Sequence, residues 1–158
     1  MDEAGLRRCF DKWLRILRIE NQFDVMLTLV DDEAFLKTGD LKIDCDDKKA
    51  EILLNKRNPK MENLEEVIVH ELLHLKLYPL DQLTENLVDS HYEEGSSAYT
   101  FVYRQFMESL EITVAELAKC FLFEYGDEKQ LSFGRVKGKK SFTDLYEGLS
   151  SLNMNQQE

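Results

Sequence analysis

Long apolar runs are missing from this chain. No segment approaches the ~20 consecutive apolar residues that a membrane-spanning helix requires, so a membrane is not expected as a partner. Met1 to Glu20 is charged throughout and has no continuous apolar core, so we expect no secretory signal and a cytoplasmic protein. Cysteine is scarce and odd in number. Cys9, Cys45 and Cys120 are far apart and form no Cys-x-x-Cys pair, which argues against a disulfide framework and fits reduced thiols. Basic residues are outnumbered, 20 against 31 acidic ones, leaving a formal charge of −11. Such a surface repels phosphate backbones, which excludes nucleic acid as an expected partner. A peptide or protein is the better electrostatic match, although an acidic surface serves solubility first.

Internal repeats are also absent, and nothing marks a second domain. A length of 158 residues with 43% hydrophobic content suits one folded domain with a real core. Leu6, Phe10, Trp13, Leu14 and Leu17 recur at helical spacing and predict an amphipathic helix over 4–19. The apolar, β-branched stretch from Asp24 to Val30 predicts a strand. Leu41-Ile43-Cys45 and Ala50-Ile52-Leu54 alternate with polar residues around Asp46-Asp47-Lys48-Lys49, predicting an antiparallel hairpin. A helix is predicted from about Asn63 to Leu77, ended by Pro79 and Asp81, with a second helical region from about Thr84. The aromatic stretch Tyr99, Phe101, Tyr103 and Phe106 is assigned to the core. Thr113-Val-Ala-Glu116 reads as a capping box opening a last helix that stops at Gly126. The expected domain therefore spans 1–126. Residues 127–158, basic at 134–141 and polar at the end, are expected to form a mobile tail.

Only three histidines occur, and two of them flank a glutamate in His70-Glu71-Leu72-Leu73-His74. At about 100° per residue the two imidazoles project from nearly the same side, one turn apart. They can share one ion, and zinc is the metal this donor set suits. Glu71 lies on the same side, where a carboxylate can take the proton from a metal-activated water. Two histidines alone hold zinc poorly, so a third ligand is required. The downstream residues able to supply it are His91, Glu93 and Glu94.

With these residues in view, the chain resembles the zincin metallopeptidases, and among them the gluzincins, whose third ligand is a glutamate on a following helix. The likeness rests on VIVHELLHL at 67–75 and HYEEGSSAY at 91–99 and covers roughly residues 24–125. In the second stretch a glutamate precedes glycine and a tyrosine follows five residues later, positions filled here by Glu94, Gly95 and Tyr99. The usual separation from the second histidine matches Glu93 and is one residue short of Glu94. We take Glu94, because a one-residue loop change costs little. The length matches compact, single-domain minigluzincins, and a lesser similarity links the chain to ImmA/IrrE-type peptidases of mobile elements.

The resemblance implies an α+β, zincin-like fold: a small mixed or antiparallel sheet packed on the active-site helix, followed by a helical C-terminal part. It implies a zinc-dependent metallopeptidase with one Zn2+ held by His70, His74 and Glu94, and Glu71 as general base. It also implies a sheet edge around Ile52-Leu53-Leu54-Asn55 for an extended peptide substrate. Two departures stand out. Ala98 occupies the position of the acid that usually orients a histidine, leaving Asp89 or a backbone carbonyl to serve, and Lys76 replaces an apolar residue. The alternative function is a non-catalytic or latent zinc-binding module regulating a protein partner, closed by a fourth ligand such as His91 or covered by the basic tail.

Overall fold

The computed structural model describes residues 2–57, 63–127 and 140–141. Its first helix, α1 (Glu3–Ile16), starts where the Asp2 carboxylate accepts the Gly5 N–H at 2.8 Å. It ends short of the predicted residue 19, because Arg18 adopts a positive φ of 54°. The N–H groups of Arg18 and Ile19 then bond back to the carbonyls of Arg15 and Leu14, a left-handed helix stop. Leu6, Cys9, Phe10 and Trp13 form the buried face.

Three strands follow: β1 (Asp24–Val30), β2 (Gly39–Asp44) and β3 (Lys49–Asn55). β2 and β3 form the predicted hairpin, with Leu41 opposite Ile52. Its turn is held by Asp44, whose carboxylate accepts the N–H groups of Asp46 and Asp47 at 3.0 Å each. β1 adds parallel to β3, with Leu27 opposite Ile52. The sheet is therefore mixed, in the order β1-β3-β2. This order corrects the expectation for Ile52–Asn55: that strand is the central one, bonded on both sides, and β2 is an edge. The hairpin alone leaves the choice open, and β1 resolves it by pairing with the more apolar strand.

α2 (Leu64–His91) is much longer than predicted. Pro79 does not end it. A proline inside a helix removes one backbone bond, and the flanking bonds and packing of a neighbouring helix keep the chain helical. That neighbour is α3 (Ser97–Tyr125), whose start is capped by the Ser96 hydroxyl accepting the Tyr99 N–H at 3.1 Å. Thr113 is not a cap: it lies inside α3, and its hydroxyl donates to the Ser109 carbonyl at 2.8 Å. Gly126 does terminate the helix.

α2 and α3 form an antiparallel hairpin, seen in the pairing of Glu65 with Asp127, His74 with Glu111, Glu85 with Tyr103 and Asp89 with Tyr99. Val67, Ile68, Leu72 and Leu75 of α2 meet the α1 face, the sheet residues Leu27, Ile52 and Leu54, and Val114, Ala118 and Leu122 of α3. The aromatic stretch of α3 lies outside this core. Phe101 is 57% exposed, and Tyr99 and Tyr103 point their hydroxyls at carboxylates of α2. The reason is geometric: the far half of the helix pair extends past the sheet that would have covered it. The architecture is α+β, and among the described residues no helix is long and apolar enough to cross a membrane. The expected tail falls outside the described residues except for Asp127, Lys140 and Ser141.

Candidate metal centre

α2 supplies both histidines from one side of one turn. His70 Nε2 and His74 Nε2 lie 3.1 Å apart, with the rings edge to face. Burial pushes both imidazoles below the ordinary histidine range; the charge of His74 adds to this at His70, while Glu111 opposes it at each. Both rings are thereby biased to the neutral form, whose free nitrogen lone pair is what a metal needs.

A carboxylate joins them from α3. Glu111 places one oxygen 3.2 Å from His74 Nε2 and the other 3.4 Å from His70 Nε2. Around a tetrahedral zinc with bonds of about 2.0–2.1 Å, neighbouring donor atoms stand about 3.3 Å apart. The two imidazoles stand near that spacing, and each meets a different oxygen of Glu111; together the three groups are a possible metal-holding group among the described residues. Were the three to hold a tetrahedral ion, one position would stay open.

Glu94 is not brought to this place. It sits exposed in the turn joining α2 to α3, beside Glu93 and Gly95, the latter with a φ of 79°. α2 continues unbroken for 17 residues past His74 to His91, about 25 Å of helix at 1.5 Å per residue. His91 and Glu93 are removed for the same reason, and the His91 ring bonds locally to the Leu87 carbonyl. Asp89, considered as the partner of a histidine's second nitrogen, accepts the Tyr99 hydroxyl instead. Tyr99 and Tyr103 lie farther along the helix pair, paired with Asp89 and Glu85. Sequence reasoning missed Glu111, yet a signal for it exists. Glu111, Val114, Ala118 and Leu122 follow one another at helical spacing, so Glu111 is an acid on the row of α3 that is otherwise core.

Glu71 projects beside this group into a cleft of about 440 Å³ between α2, α3 and β2, bordered by Gly39, Leu41, Tyr78, Met107 and Leu110. Its carboxyl is pushed up to about 7, first by burial and then by the charges of Asp40 and Glu111, with Lys37 acting against them. A carboxyl held near neutrality can both take and return a proton. Comparison with protein-family models, curated proteins and solved structures gives no match to this chain.

Proposed function

We propose that this protein is a zinc-dependent metallopeptidase of zincin-like build, in which His70, His74 and Glu111 hold one zinc ion and Glu71 is the general base. The observation that carries the reading is the convergence of three donor groups from two helices: the two Nε2 atoms lie 3.1 Å apart, and Glu111 approaches His74 at 3.2 Å with one oxygen and His70 at 3.4 Å with the other. Bound zinc would supply Lewis acidity at the substrate carbonyl and lower the pKa of a water in the open position towards about 7.

The residues of this chain divide the remaining work. Glu71 takes the proton of the attacking water and delivers it to the departing amine nitrogen. β2, an edge strand among the described residues, runs along the cleft, so its outer side would take an extended peptide as an added strand. Leu41, Met107 and Leu110 give the same space apolar walls.

The test is metal content together with peptide hydrolysis. Glu71→Gln should keep zinc and lose hydrolysis by about a thousandfold, whereas His74→Ala should lose both. A Glu71→Gln protein with wild-type hydrolysis would end the assignment. Full zinc binding with no hydrolysis of any peptide would favour the regulatory binding module instead.

A further inference from the structure

Gly39 opens β2 as an ordinary strand residue, opposite Leu54 in the ladder with β3. Its conformation does not explain the glycine, since Gly95 is the glycine with a positive φ among the described residues. Glycine in a strand interior weakens the strand, and it often marks a place where another group comes close. Here the group is Glu71. A Cβ at position 39 would lie 2.7 Å from Glu71 Oε1, 2.7 Å from Val67 Cγ1 and 3.2 Å from Glu71 Cγ.

The segment before Gly39 is held from behind. Asn55, 3% exposed at the end of β3, donates through Nδ2 to the carbonyls of Phe35 at 2.6 Å and Lys37 at 3.0 Å. Its backbone N–H bonds to the Thr38 carbonyl at 2.9 Å. The strand start therefore cannot drift easily away from α2 to make room for a side chain.

We infer that Gly39 is a positioning residue for the general base: the volume a side chain would fill there is the volume the Glu71 carboxylate occupies. This inference rests on the peptidase reading for its consequence in catalysis, but not for its geometry. A methyl group at 39 drives the Glu71 side chain out of its place beside the ligand group. None of the three atoms nearest to such a Cβ belongs to His70, His74 or Glu111, so metal binding is expected to be left alone.

Two measurements on the full chain decide it. In the first, zinc-loaded Gly39→Ala is compared with wild type on one peptide substrate. A fall in kcat of about a hundredfold is expected, the scale of a misplaced catalytic group, with KM and zinc content unchanged. In the second, urea denaturation of the metal-free protein is run on wild type, Gly39→Ala, Glu71→Ala and the double variant. The destabilisation by Gly39→Ala should shrink when Glu71 is truncated, because the obstructing atoms are gone. The contact with Val67 is common to both backgrounds and cancels. Should Gly39→Ala not fold, the cycle is run in a Val67→Ala background, where adding Glu71→Ala to Gly39→Ala is expected to restore folding. Wild-type kcat in Gly39→Ala, strict additivity in the cycle, or failure of that rescue would overturn the inference. A wild-type protein that cleaves no peptide defeats the peptidase reading, and the denaturation cycle still decides whether Gly39 and Glu71 compete for one space.

Discussion

Trp13 Nε1 donates a 2.8 Å hydrogen bond to Glu65 Oε1, between two side chains with no solvent exposure. The other oxygen of that carboxylate accepts the Asp127 N–H at 2.8 Å, and Lys12 contributes an ammonium at 3.1 Å. One buried charge thus ties α1, the start of α2 and the end of α3. The tie lies at one end of the α2–α3 hairpin, and the same helix register carries Glu111 to the histidines.

Replacing Glu65 tests both roles. Glu65→Leu leaves the Trp13 and Asp127 donors without this acceptor, and should lower stability to urea by about 3 kcal/mol. Zinc affinity should fall too, although residue 65 touches no ligand atom. Unchanged affinity in a folded Glu65→Leu protein would show that α3 keeps its register by other means.

Glu111 and Glu94 make opposite predictions for metal binding. Removing a third ligand should weaken zinc by about a hundredfold or more, since three ligands define a site of this kind. Glu111→Ala is expected to do so in competition with a chromogenic chelator, and Glu94→Ala to behave as wild type. The reverse result would restore the sequence-based assignment.

Zinc should also stabilise the fold by mass action. At a free concentration a thousand times Kd the gain is about 4 kcal/mol, readable as a rise in thermal midpoint that chelator reverses. His74→Ala should show no such rise. An equal rise in that variant would place the metal elsewhere.

Without metal, Glu71 makes stability depend on pH. Its folded-state pKa, about 7, lies above the ordinary glutamate value of 4.5. The stability it contributes is fully present below about 4.5 and is lost as pH rises through about 7. His70 and His74, lowered by burial, act in the opposite sense, losing their contribution as pH falls. Both histidines remain in Glu71→Gln, so the difference between wild type and that variant isolates the carboxyl. It should decline from pH 4.5 to 7 and then level off; a flat difference across that range would contradict a buried, protonated Glu71.

Local pattern carried much of the fold. The strand Asp24–Val30 and the β2–β3 hairpin were legible because strand alternation and turn chemistry act within a few residues. The length of α2 was not, because Pro79 is a local stop signal that packing against α3 overrides. The same override moved Thr113 from a cap to a helix interior.

The sequence by itself determined a helix-borne pair of histidines with a glutamate on the same side, since spacing along one helix fixes their directions whatever surrounds it. Only the tertiary structure decided which carboxylate meets the histidines and which strand borders the cleft. With α2 running on past Pro79, the Glu93-Glu94-Gly95 turn lies a full helix half away from His74. The antiparallel return of α3 brings Glu111 back instead, and β1 pairing with β3 leaves β2 as the strand beside the cleft. Both outcomes depend on contacts between segments distant in sequence: the spacing within α3 marks Glu111 as an acid on a core row, but only the packing of α3 on α2 sets it against the histidines.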